Sequence, residues 1–138
     1  MVDTSTSMFV STIILCFAST LIVLANCEEE KVYPSITACI KETGGQVTKH
    51  EIRALRQKNE DDIPNIPEKI LCVFKCAMDK TESIKNDGKI DVDKVIGNML
   101  DTVEDMDSYK ACIKNIEIMN CVDMRKMMKC NMKFIKYI

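Results

Sequence analysis

Two stretches of the sequence decide the fold: CVFKC, which is Cys72 to Cys76, and CVDMRKMMKC, which is Cys121 to Cys130. Cys72 and Cys76 lie one turn apart on the same helical face with nearly parallel Cβ vectors, so they bond each other poorly. On one uninterrupted helix the step from Cys121 to Cys130 is a rotation of about 900°, so these two cysteines face opposite ways. Neither pair is therefore expected to form a disulfide within itself, and each of the four cysteines needs a separate partner.

The cysteines after residue 27 form an even set of six, at positions 39, 72, 76, 112, 121 and 130, with the spacing C-x32-C-x3-C-x35-C-x8-C-x8-C. The whole chain has 8 cysteines in 138 residues, a density typical of proteins from an oxidising compartment. The other two, Cys16 and Cys27, belong to the first segment. The even remainder favours a secreted domain with three disulfides, although the residues alone do not select one pairing.

The first segment has the pattern of a signal peptide. No charged residue stands between Asp3 and Glu28, and Ile13 to Leu24 is an apolar run as long as a signal-peptide core. A small-x-small pattern predicts cleavage after Cys27. The expected organisation is a cleaved signal peptide, residues 1–27, followed by one helical domain, residues 28–138.

Two alternatives to this organisation stay open. Cleavage after Ala25 fits the same pattern of small residues. The segment before the apolar run has no Lys or Arg, and the uncharged stretch is just long enough to span a bilayer as an uncleaved anchor. Its Ser and Thr content and its lack of basic flanks favour the signal peptide.

Composition favours an all-α domain. Hydrophobic residues make up 46% of the chain, while Gly and Pro number only 4 and 3, which argues against turn-dense β architectures and against disorder. The formal net charge is −2, with both signs spread along the chain. Because no basic face exists to neutralise many phosphates, nucleic acid is not expected as a partner.

Apolar periodicity predicts about six helices, which begin near Pro34, Thr48, Pro67, Val92, Ser108 and Asn120. Thr48 and Glu51 have the spacing of a capping box, and Ser108 and Asn120 are expected N-caps. The stretch Glu60 to Asn65, with three acids and a proline, is interpreted as a linker. The fourth helix is expected to bury one apolar face, made of Val92, Val95, Ile96, Met99 and Leu100.

The six-cysteine spacing, with C-x3-C in the middle and C-x8-C at the end, resembles that of the insect odorant-binding proteins. These are secreted helical carriers of small hydrophobic molecules, and the resemblance covers about Tyr33 to Cys130. It implies the pairing of first with third, second with fifth and fourth with sixth cysteine, which here gives Cys39–Cys76, Cys72–Cys121 and Cys112–Cys130. This pairing agrees with the orientation arguments above, which did not themselves select it.

Helices cross-linked in this way can enclose an internal apolar cavity, as a carrier requires. The expected ligand-binding residues are apolar side chains of the helices and of the C-terminal tail: Ile52, Leu55, Phe74, Met78, Val95, Met99, Ile113, Ile116, Met124, Met127, Met128, Phe134, Ile135 and Tyr137. Eight of the ten methionines follow residue 27, and flexible thioethers suit a pocket that accepts several shapes. The alternative is that most of these side chains are ordinary core.

The tail Phe134 to Ile138 exposes four apolar side chains if it is free. This favours a tail that folds back over the cavity as a lid or as one wall, with the Tyr137 hydroxyl available to a ligand. A frayed terminus is the alternative.

We therefore expect a secreted, extracellular carrier that binds odorants, pheromones or related semiochemicals non-covalently and transports them through aqueous fluid. The expected partners are hydrophobic small molecules, with a membrane chemoreceptor as a further candidate partner, and the expected state is a monomer or a weak homodimer. The alternative function is that of a secreted helical interaction protein, cytokine-like or a venom component, which uses the same disulfide scaffold without a small-molecule ligand.

Neither an enzyme, a cofactor nor a metal site is expected. The one histidine, His50, has no cysteine within ten residues, and no Ser-His-Asp or Cys-His set can be nominated. The turn at Asp87 and Gly88 imitates the centre of a calcium loop, but Lys94 stands where the bidentate Glu is needed. With six cysteines assigned to bridges, no thiol remains for catalysis or for zinc.

Overall fold

Six α-helices, separated by turns and short 3-10 helices, make up most of the computed structural model, which describes residues 33–99 and 102–136. The α-helices are α1 (Pro34–Glu42), α2 (Lys49–Ala54), α3 (Glu68–Lys80), α4 (Val92–Gly97), α5 (Met106–Lys114) and α6 (Met124–Phe134). The 3-10 helices are Leu55–Gln57, Glu60–Asn65 and Cys121–Asp123, and two short strands are β1 (Thr102–Val103) and β2 (Ile135–Lys136). The predicted all-α class is confirmed. The predicted signal peptide, residues 1–27, lies outside the described residues, as do Leu100 and Tyr137.

Local hydrogen bonds fix where the helices start. The capping box predicted before α2 is confirmed: Glu51 N donates to Thr48 Oγ1 at 3.2 Å, and Thr48 N donates to Glu51 Oε2 at 2.8 Å. Asn120 is the N-cap of the 3-10 helix Cys121–Asp123, as predicted, and Asp123 completes a second box there. Because these motifs join residues only three apart, the sequence specifies them without help from tertiary packing.

Two local predictions are wrong. The stretch Glu60–Asn65 is a 3-10 helix and not a linker, because Asn59 and Asp62 form a capping box that orders its acidic start. The N-cap of α5 is Asp105 and not Ser108: the Ser108 backbone N–H donates to Asp105 Oδ1 at 3.1 Å, so Ser108 already lies in the first turn. A carboxylate is an N-cap acceptor at least as good as a hydroxyl.

The helix α4 is shorter than its apolar pattern predicts. It ends at Gly97, and the Asn98 side-chain Nδ2 donates to the Lys94 carbonyl oxygen at 2.8 Å, which closes the last turn. Of the described members of the expected apolar face only Val95 is buried; Val92, Ile96 and Met99 are partly exposed. A cap at Asn98 thus ends the helix before the apolar pattern does.

Three disulfides join the helices. Cys39–Cys76 links α1 to α3, with Cα atoms 6.0 Å apart, and Cys72–Cys121 links α3 to the Cys121–Asp123 helix, with Cα atoms 4.7 Å apart. Cys112–Cys130 links α5 to α6, also with Cα atoms 6.0 Å apart. These are the pairs that the six-cysteine resemblance implies. The helix α3 therefore carries two bridges to two different neighbours.

Buried apolar side chains come from all six helices, so no single pair of helices forms the core. The most deeply buried are Leu71 of α3 and Ile113 of α5, both 0% exposed. The helix α3 packs against α1 and α6, and α6 packs in turn against α5 and the Glu60–Asn65 helix. The helix α6 thus joins α3, α5 and the Glu60–Asn65 helix in one packed domain.

The turn at Gly88 holds the segment that follows α3 against the segment that follows α5. Gly88 has φ +84°, in the left-handed region, and its carbonyl accepts from the Ile118 N–H at 2.8 Å. A Cβ at this position would lie 3.2 Å from the Ile118 carbonyl oxygen and would overlap Met119 Sδ. Both the conformation and the close approach require glycine.

None of the helices within the described ranges has both the length and the apolar composition needed to cross a bilayer.

Candidate functional site

The helix α6 presents a face of methionines to the centre of the domain. Met124, Met127 and Met128 follow each other at i, i+3 and i+4 and are 2%, 3% and 6% exposed. The opposite face carries the exposed Lys126 and Lys129. This division makes α6 an amphipathic helix whose buried side is lined by unbranched, polarizable thioethers.

The helices α3 and α5 complete the same region. Ile113 of α5 is fully buried, and Ile116, just after that helix, is 8% exposed. Phe74 and Met78 of α3 are partly exposed, and α3 packs directly on α6. The Cys112–Cys130 disulfide holds α5 and α6 together beside the methionines. These seven predicted ligand-binding side chains, like Phe134 at the end of α6, therefore lie on α3, α5 and α6 or just after α5, and both α3 and α5 pack on α6.

The other predicted ligand-binding residues divide by exposure. Ile52 and Val95 are buried, whereas Leu55, Met99, Phe134 and Ile135 are partly exposed. Tyr137 lies outside the described residues. Burial is what either a pocket wall or an ordinary core produces, so the role of this set in ligand binding stays a prediction.

The C-terminal segment is paired with the segment before α5. The strands β1 and β2 are antiparallel, with Thr102 opposite Lys136 and Val103 opposite Ile135. The Glu104 N–H also donates to the Phe134 carbonyl oxygen at 3.1 Å, and the Lys136 ammonium pairs with the Glu104 carboxylate. Neither strand can be recognised in the sequence, because each has only two residues, too few for an alternating pattern.

Sequence reasoning missed Tyr109, which is 1% exposed. Its hydroxyl donates to Asn131 Oδ1 at 2.8 Å, and its ring meets that of Phe134 edge to face, with centroids 6.3 Å apart and planes at 67°. Tyr109, Ile113 and Ile116 follow at i, i+4 and i+7, so the helical period could have found this residue. Tyr109 joins the start of α5 to the end of α6.

The start of the Cys121–Asp123 helix is held by a carboxylate. Asp123 Oδ2 accepts from the backbone N–H groups of Met119 at 3.0 Å and Asn120 at 3.1 Å, and Lys126 Nζ lies 3.1 Å from Oδ1. The Met119 and Asn120 N–H groups and the Lys126 ammonium lower the pKa of the Asp123 carboxyl from its ordinary value, against the opposing effect of burial. The ionised form of Asp123 therefore stabilises the backbone next to Cys121.

One cluster of metal-ligating atom types occurs among the described residues, and it does not fit a metal. The Sγ atoms of Cys39 and Cys76 and a carboxylate oxygen of Glu42 lie within 4.8 Å of one another. The two sulfur atoms are bonded to each other, however, and a metal is bound by thiolates rather than by a disulfide. Glu42 is engaged instead by the Lys80 ammonium at 2.6 Å.

Comparison with known proteins gives one match. The family model described as PBP/GOBP family matches residues 25–134, a range that contains all six helices and the six disulfide-bonded cysteines. Searches of curated proteins and of solved structures gave no significant match.

Proposed function

Because the chain belongs to the PBP/GOBP family, we propose that it is a secreted carrier of small hydrophobic ligands. The ligands would be odorants, pheromones or related semiochemicals, bound without a covalent bond and transported through aqueous fluid. The observation that carries the proposal is the methionine face of α6, buried against α3 and α5 within a disulfide-linked framework.

The proposed pocket would lie between α6 and the two helices that pack on it, α3 and α5. Its walls would come from the predicted set: Ile52, Leu55, Phe74, Met78, Val95, Met99, Ile113, Ile116, Met124, Met127, Met128, Phe134, Ile135 and Tyr137. Flexible methionine side chains can adopt new rotamers around ligands of different shape. Such a pocket would accept a chemical class rather than a single molecule.

Binding in this pocket would be driven by removal of apolar ligand surface from water. For a ligand of about 16 non-hydrogen atoms, an efficiency of about 0.3–0.5 kcal/mol per atom gives about 5–8 kcal/mol. This corresponds to dissociation constants that are micromolar or weaker. A carrier that must release its ligand benefits from affinity in this range.

The C-terminal segment would form a lid or one wall of the pocket. Phe134 and Ile135 lie at the end of the methionine helix, and the pairing of β2 with β1 holds the segment beside α5. A membrane chemoreceptor would be the recipient of the ligand, and the protein would act as a monomer or a weak homodimer without cofactor, metal or catalytic activity.

The test is native mass spectrometry of the oxidised protein, secreted from a eukaryotic host, against a panel of long-chain alcohols, esters and fatty acids. We expect retained complexes of one ligand per protein. The same preparation tests the processing, because the mass of the secreted chain shows whether cleavage follows Cys27, follows Ala25 or does not occur. A protein that retains no ligand from the panel would contradict the carrier and favour the interaction protein.

A matched pair of variants tests the location of the pocket. Met128→Leu changes a methionine that is 6% exposed and Met119→Leu one that is 67% exposed, with nearly the same change of volume. We expect the first variant to change the rank order of retained ligands, because a branched side chain adapts less well than a thioether. The second should leave the order as in the wild type; equal effects would place the pocket elsewhere.

A further inference from the structure

Arg125 of α6 carries a buried hydrogen-bond donor that no described residue satisfies. The side chain is only partly exposed, and its Nη2 donates to the Ile66 carbonyl oxygen at 3.3 Å. Its Nε is buried without a hydrogen-bond acceptor among the residues that the structure describes. A buried N–H of a charged group without an acceptor is costly, so an acceptor for this atom would stabilise the protein.

No carboxylate within the described ranges forms an ion pair with Arg125. The segments around it do carry acids, namely Glu60, Asp61 and Asp62 of the 3-10 helix and Glu68 at the start of α3, but none of them is in salt-bridge contact with its guanidinium. Asp123, the nearest acid along the chain, is engaged by Lys126 and by two backbone N–H groups. Within residues 33–99 and 102–136, the positive charge of Arg125 is therefore not neutralised by a direct contact with a carboxylate.

Buried apolar residues lie next to Arg125 along α6 and at its backbone partner. Arg125 follows Met124, which is 2% exposed, and lies one turn before Met128, which is 6% exposed; its backbone partner Ile66 is 3% exposed. In such surroundings a hydrogen bond between charged groups is stronger than in water. The guanidinium is thus placed at the edge of the methionine face proposed above as a pocket wall.

We propose that Arg125 binds the carboxylate of a hydrophobic ligand, so that this carrier prefers long-chain carboxylic acids to alcohols or esters of the same chain length. The proposal rests on the carrier function proposed above. A planar guanidinium donates to a carboxylate oxygen through Nε–H with the geometry that this anion favours. The acyl chain would then extend along Met124 and Met128, while Nη2 keeps its bond to Ile66.

A second guanidinium, that of Arg53 on α2, also has a buried nitrogen, Nη2, with no acceptor in the described part of the chain. Arg125 is the better candidate for two reasons. Its guanidinium is oriented by the bond to Ile66, and it belongs to the helix that carries the buried methionines. Arg53 therefore serves as a control in the test.

The test is displacement of a neutral fluorescent naphthylamine probe from the full-length secreted protein by dodecanoic acid, methyl dodecanoate and dodecanol near pH 7. For the wild type we expect the acid to bind more tightly than the ester and the alcohol, which share its chain but carry no charge. In Arg125→Gln the affinity for the acid should fall roughly 10- to 100-fold, the range expected for loss of a hydrogen bond to a charged group. The affinity for dodecanol should stay the same.

Two controls separate ligand recognition from general effects. Lys129→Gln removes the same charge from an exposed position of the same helix, and it should leave all three affinities unchanged. Arg125→Lys keeps the charge without the planar donor group, and it should retain part of the preference for the acid.

Three results would overturn the proposal. The wild type could bind the acid and the ester with equal affinity, or Arg125→Gln could weaken binding of the acid and of dodecanol equally. The third is that Arg53→Gln, and not Arg125→Gln, abolishes the preference for the acid. The comparison of acid with ester needs only the wild type, so it tests the proposal even if a variant does not fold. Failure of the carrier function looks different, since then neither the probe nor any of the three ligands would bind the wild type.

Discussion

The Tyr109 hydroxyl donates a hydrogen bond of 2.8 Å to Asn131 Oδ1, and this contact joins α5 to α6 immediately beside the Cys112–Cys130 disulfide. Tyr109 lies one turn before Cys112, and Asn131 follows Cys130 directly. A covalent bond and a polar contact thus fix the same pair of helices. The edge-to-face contact of Tyr109 with Phe134 extends the connection to the start of the C-terminal segment.

Tyr109→Phe should lower the free energy of unfolding by about 1–2 kcal/mol, because it keeps the ring and removes the donor to Asn131. Urea unfolding of the oxidised protein measures the change. A double-mutant cycle with Asn131→Ala isolates the contact. The sum of the two single-mutant losses of unfolding free energy should exceed the loss in the double mutant by about 0.5 kcal/mol or more. Strict additivity would show that the hydroxyl stabilises the fold by another route.

The three disulfides should differ in what they contribute. Residues 72 and 121 are 49 apart in sequence and residues 112 and 130 are 18 apart. In the chain-entropy description, the longer loop gives about 0.9 kcal/mol more stabilisation. We therefore expect the double variant Cys72→Ser and Cys121→Ser to be less stable in urea than the double variant Cys112→Ser and Cys130→Ser. The reverse order would assign the larger contribution to packing between α5 and α6.

Gly88→Ala should be strongly destabilising for a substitution in a turn, because Gly88 is buried. The left-handed conformation costs an alanine about 1–2 kcal/mol. The exposed Met119 side chain can move aside, but the Ile118 carbonyl oxygen, 3.2 Å from the Cβ position, belongs to the backbone and adds to this cost. Gly44→Ala is the matched control, since Gly44 also has positive φ, +62°, but nothing lies within 4 Å of its Cβ position. Thermal unfolding of the two variants should separate them; similar losses would mean that the turn moves away from Ile118 at little cost.

Acidification should weaken the domain in part through Asp123. Its pKa is lowered in the folded protein, so its contribution to stability is complete above the unfolded pKa near 3.9 and is lost as the pH falls through the folded pKa. Asp123→Asn should be less stable than the wild type near pH 6, and the difference should shrink near pH 3. Asp61→Asn, at an exposed acid that forms no ion pair within the described ranges, should follow the wild type at both values. A constant difference for Asp123→Asn would contradict this role of its charge.

Removal of residues 135–138 should speed ligand release if the C-terminal segment is a lid. The truncation eliminates β2 and its pairing with Val103 but keeps Phe134 on Tyr109. Stopped-flow dilution of the fluorescent probe measures the rate, with Lys136→Ala as a control that keeps the backbone pairing and removes the ion pair with Glu104. Unchanged affinity and release in the truncated protein would exclude the lid.

Much of this architecture is determined by local contacts and by disulfide bonds, and that part could be predicted from the sequence. The spacing of the cysteines supported the resemblance and thereby the three pairs, and Thr48 with Glu51 specified the start of α2 within four residues. The end of α4 was predicted wrongly, because a C-cap at Asn98 ends the helix although the apolar pattern continues. The stretch Glu60–Asn65 was predicted wrongly as a linker, because a capping box at Asn59 orders it as a helix in spite of its proline.

The candidate site was less accessible to prediction. Met124, Met127 and Met128 could be assigned to one face from their spacing, and they are buried together. Arg125 could not be recognised, because a charged residue between them is equally consistent with a solvated side chain. Only the fold places Ile66 against its guanidinium and leaves Nε without an acceptor in the described part of the chain.

The box formed by Asn120 and Asp123 has a consequence for the order of oxidative folding. It fixes the backbone on both sides of Cys121 through contacts between residues no more than four apart, and structure of this range forms in microseconds or less, whereas thiol oxidation takes seconds to hours. Local structure around Cys121 can therefore form and break many times before its thiol meets that of Cys72. The oxidant that closes the Cys72–Cys121 bridge then acts on a chain in which local structure already limits how Cys121 can be approached.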